Sequence, residues 1–291
     1  RRPQPDDGRP VMTEIVTTTS EVRARVAAAR AQGQHVGFFP TMGALHEGHL
    51  ADMRRVREEC DYVLVSIFVN PTQFPPGEDF ERYPRDLSAD AQFCETVGVD
   101  LIFAPTVEEI YPPGDATWVE VTGTLVEGMC APHRPGHFRG VTTVCARLFN
   151  IVGPDRAYFC EKDYQQLRVI QQMVRDLKLP LEIVPVPTVR APSGLALSSR
   201  NSYLSEEERA AATVLSRALL LAQRAYAAGE RDAATLVALV TETIASEPLA
   251  KLQYAEARDA VTLASVTRAD QPTVLAVAAF VGNARLIDNV V

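Results

Sequence analysis

Two histidines three residues apart, His46 and His49, stand in "PTMGALHEGHL" where an apolar run gives way to a helical pattern. At a helix start the backbone N–H groups and the positive end of the dipole face outward together, so imidazoles placed there meet whatever anion that end attracts. Gly43 and Gly48 leave room for close approach. The spacing alone also suits two surface histidines in a turn, whereas a zinc protease is not expected because "HEGH" lacks the HExxH spacing. "ALSSRN" adds Ser198, Ser199 and Arg200, and "EKD" adds Lys162. Each of these is by itself equally a solvated loop or a charged helix start. Together the three segments supply enough donors for the triphosphate of ATP with its metal. Gln73 and Gln166 add neutral amides, which bond hydroxyls and a carboxylate without competing as nucleophiles or proton acceptors. A small polar acid beside ATP fits that pair.

The elements that must bring these residues together alternate along the chain. "EVRARVAAARAQ" is helical in propensity, with Ser20 as expected N-cap and Gly33 as stop. Strand "HVGFFP", a helix from His49 to Glu59 and strand "YVLVSIFVN" follow. A helix near 86–97, strand "DLIFA", a helix near 139–152, strand "RAYF", a helix near 163–178 and strand "LEIVPV" continue the pattern. Such repetition predicts an α/β fold, a doubly wound, Rossmann-like parallel sheet whose ligands bind beyond the carboxyl ends of the strands. The polar clusters "PTMGALHEGH", "NPTQF" and "CEKDYQQ" each follow a strand, so they are expected to line one crevice. Past Pro187 the pattern changes to helical stretches at about 205–229 and 232–246, then strands "LQYAEARD", "TVLAVAAFV" and "ARLIDNV", the last two joined by the hairpin signal Gly282-Asn283. The expected division is a Rossmann-like domain over 12–188 and a smaller α+β, lid-like domain over 189–291, with residues 1–11 a disordered leader.

Composition narrows the classes. The 291 residues are 46% apolar and 23% charged, as in ordinary globular chains. A net charge of −8 without a basic patch argues against nucleic acid. No apolar run reaches the roughly 18 residues of a membrane span. Five cysteines without a CxxC pair read as reduced thiols of a cytoplasmic protein, with no metal site of their own.

In the order "PTMGALHEGHL", "SIFVNPTQF", "YPRDLSAD", "RPGHFRGV", "EKDYQQL", "LALSSRN" and "RLIDN", the chain resembles the pantoate–β-alanine ligases, a family in the cytidylyltransferase superfamily. The resemblance implies an AMP-forming ligase of the coenzyme A pathway. It condenses (R)-pantoate with β-alanine to give pantothenate, AMP and pyrophosphate through a pantoyl adenylate, with magnesium, as a cytoplasmic homodimer. His46 to His49 would be the counterpart of the superfamily's "HIGH" signature and "LSSRN" of its "KMSKS"-like loop. Matching positions imply ATP contacts from Met42, Gly43, Ala44, Leu45, His46, Glu47, Gly48 and His49, with His49 as proton donor. Cys160, Glu161, Lys162, Asp163, Val189, Leu197, Ser198, Ser199 and Arg200 would complete the nucleotide site, Lys162 and Arg200 on the phosphates. Gln73 and Gln166 would hold pantoate, and Gln73 would also meet β-alanine. "PPGEDFERYPRD", residues 75–86, resembles the family's mobile flap, and Arg134 in "HRPGHFRG" its site edge.

Two positions depart from the family. Cys160 stands where glycine is usual, which is expected to crowd the nucleotide or make the site thiol-sensitive, and Leu197 replaces a methionine, a near-neutral change. Two other readings stay open: a nucleotidylyltransferase acting on a phosphate ester, and an ATP-binding module without turnover. Gln73 and Gln166 speak against the first, because a phosphoester calls for a cation.

Overall fold

The computed structural model describes residues 13–291. The expected leader at 1–11 lies outside them. The first half alternates strand and helix: β1 (Glu14–Val16), α1 (Thr19–Ala31), β2 (Val36–Thr41), α2 (Glu47–Glu59), β3 (Tyr62–Ile67), α3 (Leu87–Thr96), β4 (Leu101–Phe103), α4 (Val107–Ile110), α5 (His137–Val152), β5 (Arg156–Cys160), α6 (Tyr164–Asp176) and β6 (Glu182–Val186). Six parallel strands form one sheet in the order β1-β4-β3-β2-β5-β6. The chain runs outward from β2 through β3 to β4, then returns to place β5 on the other side of β2. Helices after β2 and β5 therefore leave in opposite directions, which opens a crevice at the carboxyl edge between those two strands.

Successive side chains of a strand point to opposite faces, and both faces here are covered. Phe38 and Leu64 join Val144, Leu148, Ile170 and Met173 beneath α5 and α6, whereas Phe39, Val63 and Val65 join Met53 and Val56 beneath α2. That double burial explains why "YVLVSI" is apolar but for Ser66.

Two local expectations are corrected. The N-cap of α1 is Thr18 rather than Ser20: its side chain accepts from Glu21 N while Glu21 reaches back to the Thr18 N–H, a reciprocal box that Ser20 is too far along the chain to make. The stretch at 205–229 is two helices, α7 (Glu206–Ala212) and α8 (Val214–Ala227), because at Thr213 the side-chain hydroxyl donates to the Ala210 carbonyl and the chain bends. Strand β1 was not expected from sequence, since three residues carry no readable period.

Beyond α8 come α9 (Ala233–Ala245), β7 (Ala250–Asp259), β8 (Thr273–Val281) and β9 (Ala284–Val290), the strands pairing antiparallel in the order β7-β8-β9. Gly282, at φ +54°, makes the expected hairpin turn. One face of β8, with Val277 and Ala279, packs on Leu215, Leu219, Val240 and Ile244 of α8 and α9. Its other face, with Val274, Ala276 and Ala278, packs on Phe138, Tyr164 and Met129 of the first half. The small sheet is thereby fixed against the crevice.

Candidate active site

At the end of β2 the chain turns sharply, with Gly43 at φ +80° and Ala44 at φ +54°. Asp90, buried on α3, accepts from Ala44 N at 3.0 Å and Leu45 N at 2.7 Å, and a Cβ on Gly43 would sit 2.7 Å from its carboxylate. His46 then caps α2. Its Nδ1 accepts from Gly48 N at 3.1 Å, and His49 Nδ1 accepts from His46 N at 3.3 Å. The rings stack with centroids 3.9 Å apart. With both Nδ1 lone pairs engaged by the backbone, each neutral ring carries its proton on Nε2. Burial, then the charge of Lys162, pushes His46 down to about 4. Burial, His46 and Lys162 push His49 well below its ordinary value. Near neutral pH both are uncharged hydrogen-bond donors.

Lys162 lies in a 3₁₀ turn, Glu161–Asp163, directly after β5. Burial works against its charge, but Asp163, 3.6 Å away, outweighs it and holds the ammonium above its ordinary pKa. The turn is tied down from the far end of the chain: Asn289 Nδ2 donates to the carbonyls of Glu161 and Lys162 at 2.9 and 3.0 Å. Its neighbour Asp288 forms a two-bond pair with Arg190 at 2.7 and 2.8 Å. These contacts give "RLIDN" a physical role that its residue types alone do not reveal.

Ser199 Oγ donates to the Ala44 carbonyl at 3.0 Å and so joins the "LSSRN" loop to the histidine turn. Arg200 is engaged: its Nε and Nη2 donate to Asp79 at 3.0 and 2.9 Å. Arg134 likewise grips Glu78 with two bonds of 2.6 Å. Segment 75–86 is thus pinned by two adjacent carboxylates on two guanidiniums.

Gln73 ends a short turn, Pro71–Gln73. Its Oε1 accepts from Asn70 Nδ2 at 3.0 Å, its Nε2 donates to Met42 Sδ at 3.1 Å, and His137 Nδ1 donates to its carbonyl at 2.8 Å. Helix α5 approaches so closely that a Cβ on Gly140 would fall 2.3 Å from the Thr72 carbonyl. Gln166 on α6 faces the crevice. Adjacent Gln165 faces away and spends its amide on Cys130 N and the carbonyls of Leu125 and Gly128.

These segments enclose a cavity of about 180 Å³. Met42, Gly43, His46, His49, Cys160, Lys162, Asp163, Ser198, Ser199 and Arg200 line it, together with Gln73 and Gln166. Ala44, Leu45, Glu47, Gly48, Glu161, Val189 and Leu197 are not in its wall. The reason is local: the N–H groups of Ala44 and Leu45 are taken by Asp90 and that of Gly48 by His46, while Leu197 N donates to Val189 O. The expected thiol reactivity of Cys160 does not follow. Burial, with Asp52 and Asp163 nearby, pushes the thiol up to about 12, which removes the nucleophilic thiolate at neutral pH.

Four residues of the site were missed by sequence reasoning. Asp90 and Asn70 hold the histidine turn and Gln73, and Tyr83 and Asp52 line the cavity. Asp52 carried a signal: it sits on the inward stripe of α2 among buried Leu50, Met53 and Val56, where an acid is out of place.

With this geometry in view, the chain matches the family model for pantoate-beta-alanine ligase over residues 14–291. It is 54% identical over 278 residues to a pantothenate synthetase of Moorella thermoacetica, covering 96% of this chain and 98% of that protein. It is 50% identical over 278 residues to that of Thermotoga petrophila, covering 96% and 99%. A crystal structure of pantothenate synthetase from Thermus thermophilus superposes with a TM-score of 0.91 at 48% identity, covering 96% of this chain and 99% of that one. A pantoate-beta-alanine ligase from Francisella tularensis, complexed with beta-gamma ATP and beta-alanine, superposes with a TM-score of 0.79 at 34% identity, covering 96% and 97%.

Proposed function

The chain belongs to the pantoate–β-alanine ligase family and is a ligase joining pantoate to β-alanine, and we propose that it does so with ATP, through a pantoyl adenylate made in the cavity described above. The observation that carries the assignment of the site is convergence. Two neutral imidazole donors, one ammonium and the Ser198–Arg200 loop, from three remote segments, line the same space as Gln73 and Gln166.

In the first step a pantoate carboxylate oxygen bonds to the α-phosphorus of ATP and the bond to the β-phosphate oxygen breaks, releasing pyrophosphate. Two anions must approach, and charge grows on the phosphoryl oxygens. The Nε2–H groups of His46 and His49 and the Lys162 ammonium offset that charge without reorganising, because backbone and burial hold them in place. Gln73 and Gln166 orient pantoate by its hydroxyls and carboxylate, and Phe68, Val141, Val144 and Leu148 give its dimethyl carbon an apolar wall. In the second step the β-alanine amine attacks the acyl carbon, AMP leaves with the bonding pair, and the amine's proton passes to solvent or a phosphate oxygen. Water would hydrolyse the adenylate, and segment 75–86, closed over the site by Glu78 and Asp79, is positioned to keep it out.

Magnesium suits this donor set as a companion of the nucleotide: the Asp163 carboxylate, in the cavity wall beside Lys162, would share a phosphate-bound ion. Bound there it would neutralise phosphate charge. The same reading makes the enzyme a cytoplasmic homodimer, in keeping with five free cysteines. It also divides the chain into a nucleotide- and pantoate-binding part to residue 188 and a smaller part from 189.

The test is to supply ATP, magnesium, pantoate and β-alanine and follow AMP. AMP release requiring all four is expected, together with pyrophosphate–ATP exchange that needs pantoate alone. Exchange without pantoate, or none with it, would overturn the adenylate route.

A further inference from the structure

The cavity crosses the carboxyl edge of the sheet from one face to the other. On the α5 and α6 side its wall is apolar beneath the two glutamines. On the α2 side, beyond the histidines, the wall contains an acid. Asp52 lies one helical turn along from His49, 5% exposed, with Lys162 and Cys160 near enough to feel its charge. Its carboxyl makes no hydrogen bond with the described residues. Burial pushes that carboxyl up to about 7.

A carboxyl that meets no protein donor and opens into the cavity keeps its hydrogen bonds for what enters there, and every other buried long side chain on this stripe of α2 is apolar. An acid retained there faces a partner that comes with the ligand. The polyphosphate does not supply that partner: the ionised carboxyl repels it, and the donors that would meet the phosphates are His46, His49 and Lys162. Pantoate is excluded by position, since its amide donors and apolar wall lie on the opposite face of the sheet. With the phosphates at the histidine turn and pantoate on the α5 face, the sugar and base are left for the α2 face.

We propose that Asp52 determines nucleotide specificity by accepting a hydrogen bond from a donor on the nucleoside, the exocyclic amine or the ribose 2′-hydroxyl. The inference rests on the reading that this cavity binds ATP, and it adds a contact which that reading does not require. An acceptor here favours a base or sugar with a donor at that point and disfavours one presenting an oxygen.

Calorimetric titration tests it with four probes: ATP, inorganic triphosphate, 2′-deoxy-ATP and purine riboside triphosphate, which lacks the amine. Asp52→Leu is expected to weaken ATP about tenfold, the loss of one hydrogen bond, and to leave inorganic triphosphate and pantoate unchanged. On the unsubstituted chain one of the two analogues is expected to bind about tenfold more weakly than ATP, and Asp52→Leu to make no further difference to it. Equal analogue affinities on the parent overturn the inference without the variant, and a leucine on an apolar stripe is expected to melt no lower than the parent. Equal ATP affinity in parent and Asp52→Leu, equal affinity of the parent for all three nucleotides, or a parallel loss for inorganic triphosphate overturns this inference alone. A parent chain that binds no ATP overturns both it and the ligase reading.

Discussion

The histidine turn, residues 42–49, and the flap, residues 75–86, border the same cavity but are held by opposite means. The turn is fixed by backbone: Asp90 takes two of its N–H groups, the two imidazoles take two more, and the imidazoles stay neutral. The flap is fixed by charge, Asp79 on Arg200 and Glu78 on Arg134. A neutral, backbone-anchored donor is ready before any ligand arrives and loses nothing to a competing ion. On the proposed reading Arg200, already gripped by Asp79, must exchange partners to meet a phosphate, which would couple nucleotide binding to movement of segment 75–86. The first arrangement suits a preorganised chemical site, and the second a segment held by exchangeable ion pairs.

That contrast is broken most severely by His49→Ala, which removes a preformed donor. Turnover is expected to fall about a hundred- to a thousandfold in a steady-state AMP assay, with the KM for pantoate nearly unchanged. A loss of tenfold or less would show that the turn is a scaffold and not part of the chemistry. Asp90→Ala leaves the Ala44 and Leu45 amides without their acceptor, and about 2 kcal/mol of stability is expected to go, read as a lowered melting temperature with a smaller drop in kcat. An unchanged melt would mean that the turn holds itself.

On the flap side, Asp79→Asn removes the competitor for Arg200, so titrated ATP is expected to bind severalfold more tightly while the segment becomes more open to limited proteolysis. Weaker ATP binding would instead make Asp79 part of the nucleotide site.

The smallest effect separates the two regions by pH. His46 is lowered from 6.5 to about 4 and His49 is also lowered, so the folded state binds fewer protons than the unfolded one in that window. Their stabilising contribution is present above pH 6.5 and is lost as pH falls toward 4. Burial works against the charge of Asp79, yet Arg200 overrides it and lowers its pKa from 3.8, so its contribution is lost only as pH falls below that value. Asp52 has the opposite sign, being raised from 3.8 to about 7: its protonated form is favoured on folding, and that gain disappears as pH rises through about 7. Denaturant melts from about pH 3 to 8 should show the parent and His46→Asn diverging in slope between about 6.5 and 4, and the parent and Asp79→Asn only below about 4. Coincident slopes would remove the electrostatic distinction between turn and flap.

Much of this was written in the chain itself. The alternation of apolar strands with helices marked the doubly wound sheet, because burial on both faces demands continuous apolar runs such as "YVLV". The polar segments after those runs, with the "LSSRN" loop, offered eight side chains that line the cavity, since parallel strands deliver their carboxyl ends to one edge, and the family resemblance added Met42, Gly43, Cys160 and Asp163. Local capping geometry was less legible: Thr18 and Ser20 are both good caps, and only the reach of Glu21 decides between them. Tertiary structure alone decided which donors are free. Arg200 and Lys162 look alike as cations in sequence, yet one is clasped by a flap residue 121 positions away and the other is poised by a turn that Asn289 secures from 127 positions away. It likewise separated Gln166, which faces the cavity, from Gln165, which braces a loop. Sequence determines which groups a chain carries and on which side of an element they fall; partners remote in sequence, and the burial that sets charge, exist only once the fold has closed.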